Sequence, residues 1–450
     1  MLRISLVSPI FRLMLHFTLV GFCSVNAKTP LTKQQSNLTP LGANAQHDTE
    51  YNIPIYKKQM VTLEKNHRLL QEKPLYKIDS TNFKAYAVLL SQGLQALLQR
   101  FPSSFYLSVY PTHRLYQDSP VVNQRTQLNA KHTTLVNGID GLRSYAGGIP
   151  FLIPENGAEI IWNGRLASIY PSLEATFDEL AIFQNGKRQL RRQHIISEYP
   201  FAYDSHAEGA VDEAISMNAA YIMVNVLLPE RQKGQRTVIH EALDQVEHER
   251  KAWIYMPGTR RVRRAPTVGY DTPDGPAGLV TIDDAMGFNG AMDRFDWQFI
   301  DKKPMIIPYH NRQFDDDSLD FDSLLLRSHP NPDYMRYEVH RVWIVEATLK
   351  PNARHIYGKR RFYLDEDTWQ IVLVENYDTR GKLWRVGLLN TDYSPQLKRY
   401  IPRAQTFIDL QAGAYLTQRL INQTAPESFS TVPKGAQFYT PANLRKLGLR

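Results

Sequence analysis

The chain of 450 residues has a single cysteine, Cys23, close to its N-terminus. Without a second thiol there is no disulfide and no thiolate metal site, so stability has to come from a buried core. The 13 histidines are scattered singly, those at 194, 206, 240, 248, 310, 329, 340 and 355 among them, and none falls into a His-Glu-x-x-His or similar spacing. The sequence therefore assigns no metal site. It has no Gly-x-Ser-x-Gly elbow and no glycine-rich phosphate loop, so no catalytic residue and no cofactor is assigned either. Beyond the N-terminal region no apolar run nears the ~20 residues that cross a bilayer. The aspartates at 315, 316, 317, 320 and 322 lack the glycine and the closing glutamate of a calcium loop, and residues 315–332 read as a solvated acidic insertion.

What is present begins with an export signal. In residues 1–12 the only charges are Arg3 and Arg12; residues 13–22 are mostly apolar; Val25-Asn26-Ala27 sets small residues where a signal peptidase reads. This pattern predicts cleavage after about Ala27 and a protein released into the periplasm, possible contact with the outer membrane included. The apolar run is interrupted by His16 and is half the length of a membrane anchor. Phe22 is too bulky for the residue before a lipidated cysteine, so Cys23 is expected to leave with the signal peptide, unlipidated. Losing Arg3 and Arg12 takes the net charge from +8 to +6. Hydrophobic residues at 43% and charged residues at 22% are those of a folded globular chain.

Residues 28–80 read as an extended N-terminal segment, 81–425 as one β domain with insertions, and 426–450 as a C-terminal tail. Phe83, Tyr86, Ala87, Leu90, Leu94, Leu97, Leu98 and Phe101 recur at three- and four-residue steps, which predicts one helix over 82–100, capped by Ser80 or Thr81 and stopped before Pro102. Residues 105–110 read as a short strand, Asn156-Gly157 as a tight turn, and 172–183 as a second helix. Residues 219–228, 237–246 and 251–264 are β-rich. Residues 335–349 alternate apolar and polar over a long strand, and 355–364, residues from Trp369 to Tyr377, and 382–389 follow at short turns. Four such strands make an antiparallel meander.

Two groups of residues are candidates for binding. Tyr337, Val339, Trp343, Trp369, Ile371 and Leu373 would supply an apolar face, as a ligand site or as plain core. Arg260, Arg261, Arg263 and Arg264 follow Trp253-Ile254-Tyr255-Met256-Pro257-Gly258 and would meet an anionic group or an acidic partner, unless Asp271, Asp283, Asp284 or Asp296 neutralises them. An exported protein has little occasion to meet nucleic acid, so none is expected as a partner.

Longer blocks carry a family resemblance. Leu38-Thr39-Pro40-Leu41-Gly42-Ala43, Val109-Tyr110-Pro111-Thr112-His113-Arg114 and Phe151-Leu152-Ile153-Pro154 come first. Tyr255-Met256-Pro257-Gly258-Thr259-Arg260-Arg261-Val262-Arg263-Arg264-Ala265-Pro266 is the most distinctive, and Asp293-Arg294-Phe295-Asp296-Trp297 and Arg336-Tyr337-Glu338-Val339-His340-Arg341-Val342-Trp343 follow. In this order they resemble the domain-of-unknown-function family labelled outer membrane lipoprotein-sorting protein, over nearly the whole chain after residue 27. The resemblance implies a fold like the lipoprotein carriers LolA and LolB: mainly β with flanking helices, a large curved antiparallel sheet forming an incomplete barrel, and helices over its concave face. It also implies a periplasmic carrier or accessory protein for a lipid or other hydrophobic small molecule, in partnership with a resistance-nodulation-division transporter or an outer-membrane protein. No catalytic residue is carried over from the family, and an enzyme is not expected. The alternatives are an enzyme that modifies envelope polysaccharide or lipid, for which Glu338 and His340 share a strand face, and a scaffold for an outer-membrane protein.

Overall fold

Period-2 alternation outweighs helical periodicity along the chain, and sixteen strands join into one sheet. The structure, a computed structural model, describes residues 37–58, 68–115, 119–168, 170–203, 218–245, 247–265 and 270–449. The export signal and Cys23 lie outside these. The strands are β1 (Tyr76–Ile78), β2 (Leu107–Val109), β3 (Ser172–Ile182), β4 (Arg188–Glu198), β5 (Ala220–Leu228), β6 (Arg236–Glu241), β7 (Lys251–Met256) and β8 (Arg261–Arg264), then β9 (Phe295–Pro308) and β10 (Tyr337–Leu349). There follow β11 (Lys359–Asp365), β12 (Ile371–Tyr377), β13 (Leu383–Ser394), β14 (Arg399–Asp409), β15 (Ala414–Leu420) and β16 (Ser428–Ser430).

In space the order is β1, β2, β10 through β15, then β3 through β8, with β9 also on β10 and β16 on β3. The sheet does not close into a barrel: β8 ends the path with only β7 beside it. Pairing is antiparallel except at Tyr337↔Val109, where β2 meets β10 in parallel. The expected meander is there as β10 to β13, and it continues through β14 and β15.

Both faces of the central strands are covered, and β12 is buried at all seven positions. Leu94, Leu97 and Leu98 of helix α1 (Gln92–Arg100) join one core with Leu373, Leu388 and Ile408. With α2 (Pro120–His132) lying between them in sequence, helix α3 (Gly157–Leu166) brings Ile160, Ile161 and Trp162 to a second core with Phe362, Ile371 and Val374. No helix of the described residues is long and apolar enough to cross a membrane.

Four expectations change. Residues 172–182 of the expected helix are strand β3: Leu173, Ala175 and Phe177 alternate onto one cluster, and all eleven residues of β3 pair with β4. The helix over 82–100 is two pieces, a 3-10 stretch Phe83–Leu89 and α1, because Leu90 is extended and Ser91 accepts the Leu94 N–H at 3.1 Å as a new N-cap. Asn156-Gly157 opens α3 instead of turning: Asn156 Oδ1 accepts the Glu159 N–H at 3.0 Å. Gly157 is needed for close approach, since a Cβ there would stand 2.9 Å from the Gln298 backbone. The acidic insertion is partly core. Phe314, Phe321, Leu324 and Leu325 are buried, and the Asp315 carboxylate holds Arg403 Nε at 2.7 Å.

The C-terminal residues are built into the sheet. β16 pairs with β3, and Tyr439 and Leu444, the latter on helix α4 (Pro441–Gly448), pack on Met223, Val238 and Tyr255.

Candidate functional site

The six apolar candidates fold into two cores. Tyr337, Val339 and Leu373 join the core of α1, while Trp369 and Ile371 join that of α3, with Trp343 packed against it. Trp343 stacks on Trp369, ring centroids 5.4 Å apart, and Lys302 Nζ lies 4.6 Å from the Trp343 ring centre. Five of the six are buried side chains between sheet and helices, and only Trp343 keeps partial exposure. In the folded chain this face is filled by protein.

A different apolar face stays open. Directly opposed residues of antiparallel strands share a face. Across β4 to β8, Ile195, Val224, Thr237, Ile254 and Arg263 therefore stand in one row. Ser197, Ile222, Ile239 and Ala252 form the adjacent row, and the Met256–Arg261 pair lies two residues beyond the first. Ile222, Val224, Ile239 and Ile254 are half-exposed and pack into none of the hydrophobic clusters of the described residues. Met256 is 42% exposed. The reverse face, with Met223, Val238, Trp253 and Tyr255, is the one covered from the C-terminus. Sequence reasoning missed this face because its rows run across strands and appear only once the register is known.

The arginines complete it. Arg261 and Arg263 share the open face at the sheet edge, Arg264 points to the reverse face with Trp253, and Arg260 sits in the turn at φ 53°. All four are exposed, and among the described residues none has a carboxylate within 4.0 Å. Three of the four aspartates offered as neutralising partners are engaged elsewhere, Asp271 with Arg294 at 3.6 Å, Asp283 and Asp284 with Arg360 at 2.9 and 2.6 Å, and Asp296 is exposed on β9. The face thus combines isoleucine and valine with two guanidiniums at one end.

The Glu338–His340 pair exists but is sealed. Glu338 Oε2 lies 3.2 Å from His340 Nε2, and the two residues are 0% and 1% exposed. Glu338 also contacts His310 Nδ1 at 2.8 Å and accepts Arg336 Nε at 2.7 Å and the His113 N–H at 2.8 Å. Burial raises the Glu338 carboxyl, but His310, His340 and Arg336 outweigh it and hold it well below the ordinary carboxylate range. Such a pair is bound up in structure. A separate cleft of about 180 Å³, lined by Val122, Ile149, Leu166, Phe201 and Arg399 among others, is smaller than the 300–1,000 Å³ typical of ligand pockets. Burial lowers Arg399 to about 10 there, and its guanidinium donates to the Ala167 carbonyl at 2.8 Å.

Comparison with known proteins bears on most of the chain. Residues 77–445 match the family described as "Protein of unknown function (DUF1329)". The uncharacterized protein PA3922 of Pseudomonas aeruginosa is 36% identical over 429 residues, 93% of each chain. A domain from Vibrio parahaemolyticus, provisionally named for outer membrane lipoprotein sorting, is similar over 64% of this chain and 98% of its own, at 14% identity and a TM-score of 0.43. The LolA superfamily protein NE2245 of Nitrosomonas europaea is similar over 64% and 98%, at 12% identity and a TM-score of 0.38.

Proposed function

The chain belongs to the DUF1329 family, and from that premise we propose that it carries an amphiphile with an anionic headgroup through the periplasm. The observation behind this reading is the open face of β4 to β8: half-exposed Ile222, Val224, Ile239 and Ile254 run toward Arg261 and Arg263, which have no carboxylate partner among the described residues. Acyl carbons on the apolar rows gain roughly 0.8 kcal/mol per buried CH₂, and a phosphate or carboxylate head would receive the guanidiniums in forked hydrogen bonds. The face is open along the sheet edge, which suits loading and release, and an envelope transporter or outer-membrane protein would take the other side of that exchange. The buried Glu338–His340 pair gives the enzyme alternative little support.

The test is a titration with monomeric lysophosphatidylglycerol and lysophosphatidylcholine, together with mass spectrometry of lipid co-purifying from the envelope. The anionic lipid is expected to bind at least tenfold tighter, and R261E/R263E to erase that preference while the protein stays folded. Equal affinity for both lipids, or none for either, would refute the reading.

A further inference from the structure

Independently of the carrier reading, we infer that His340, Asp365 and Asp367 form a buried binding site for one zinc ion. Their ligand atoms all lie within 4.8 Å of one another: His340 Nδ1 is 3.7 Å from Asp365 Oδ1 and 4.0 Å from Asp367 Oδ2. The three come from the middle of β10, the end of β11 and the turn that follows it, so the fold brings together what the sequence spacing hides.

Each ligand is held in place by a neighbour. The Nε2 of His340 faces Glu338 Oε2 at 3.2 Å, which fixes the ring and turns Nδ1 toward the two aspartates, the arrangement of a carboxylate behind a metal-bound imidazole. Tyr309 stacks on the His340 ring at 3.9 Å between centroids and locks its plane. Asp365 Oδ2 accepts Tyr309 Oη at 3.0 Å and the N–H and Oγ1 of Thr368 at 3.0 and 2.7 Å. Its other oxygen, Oδ1, is buried, has no hydrogen bond, and is the one that faces His340. A buried carboxylate oxygen with no donor is costly, and a cation removes that cost. Asp367 is clamped by the fork of Arg114, with Oδ2 accepting Nε at 2.7 Å and Oδ1 accepting Nη2 at 2.6 Å.

The charge count agrees. Around this centre the carboxylates of Glu72, Glu338, Asp365 and Asp367 face the guanidiniums of Arg114 and Arg336, two more carboxylates than guanidiniums. One divalent ion balances the difference. One imidazole and two carboxylates suit zinc, with a fourth position left for water. Ligand atoms of a tetrahedral zinc stand about 3.3 Å apart, so His340 Nδ1 and the two carboxylates would draw together by roughly 0.4 to 0.7 Å from 3.7 and 4.0 Å.

The rival is an imidazolium at His340 doing the same electrostatic work without metal. Full-length protein stripped with chelator and titrated with Zn²⁺ alone separates them. One equivalent is expected to bind and raise the melting temperature by several degrees, and Co²⁺ is expected to give the visible d–d bands of a low-symmetry four-coordinate site. H340Q and D365N should each bind Zn²⁺ at least a hundredfold more weakly. H194Q, at a part-exposed histidine beside Glu174, should bind normally. No stoichiometric binding to the unmodified protein, or binding that persists in H340Q, would overturn the inference, and the first result does not depend on the variants folding.

Discussion

Arg360 shows how much of this molecule is decided by single buried charges. Its guanidinium, wholly enclosed, donates to Asp283 at 2.9 Å, Asp284 at 2.6 Å and Asn376 at 2.9 Å. Burial alone would raise Asp283, but Arg360 and then His355 pull its carboxyl below the ordinary value. Removing one member of a buried pair leaves the other uncompensated. R360A should therefore lose about 3–5 kcal/mol in a urea titration; a loss below about 1 kcal/mol would show the aspartates satisfied by other donors. A second residue carries a pH dependence. His329 lies between Phe101 and Phe105, with Nδ1 2.8 Å from the Pro330 carbonyl and Nε2 2.8 Å from Ser104 Oγ. Burial pushes its pKa down, and the Pro330 carbonyl offsets this only in part. The folded ring stays neutral where an unfolded one, near 6.5, takes up a proton. Stability from this site is complete above that value and is lost as pH falls through it. The urea midpoint should drop between pH 8 and 5.5, and less steeply in H329Q; equal slopes would contradict this. Neither residue announced itself in the sequence. Arg360 and Asp284 are 76 positions apart, and His329 sits alone in a polar stretch.

At the scale of elements, legibility followed the alternation of apolar and polar residues. Residues of β10 read correctly as a strand because apolar and polar positions alternate there, and the turns after it are short. Strand β3 was misread as a helix because Leu173, Phe177 and Leu180 are spaced by four and three. Both faces of β3 are covered, Leu173 and Phe177 by one cluster and Leu180 by another, so the period-2 signal is blurred by apolar residues on either side. The helix over 82–100 is legible in kind, but its extent is not. A hydrophobic spacing that continues through Leu90 hid the break, and the cue was Ser91, a good N-cap in the middle of the run. S91A should cost about 0.5–2 kcal/mol by leaving the Leu94 N–H without its acceptor. An unchanged urea midpoint would mean that α1 is held by Leu94, Leu97 and Leu98 alone. The proposed binding face is illegible for a related reason: Ile222, Ile239, Val224 and Ile254 become neighbours only through the register of three strands.

For the whole molecule, the order of strands across the sheet departs from their order along the chain where β2 meets β10 and, over a longer edge, where β15 meets β3. β15 pairs with β3 at Tyr415↔Ile182, Leu416↔Ala181 and Thr417↔Leu180, and β16 adds Ser428↔Glu174 on the same edge. That seam sets a timetable. During synthesis β3 to β8 can stack on one another as they emerge, yet the free edge of β3 has nothing to bind until more than two hundred further residues have been made. Contacts so distant in sequence slow folding, and an unpaired edge invites pairing with other chains meanwhile. Near the other end, Trp369 Nε1 donates to the Leu41 carbonyl at 2.7 Å, so the earliest described residues are also among the last to be fixed in place. The nascent chain has to be kept from its neighbours until its C-terminal strands arrive.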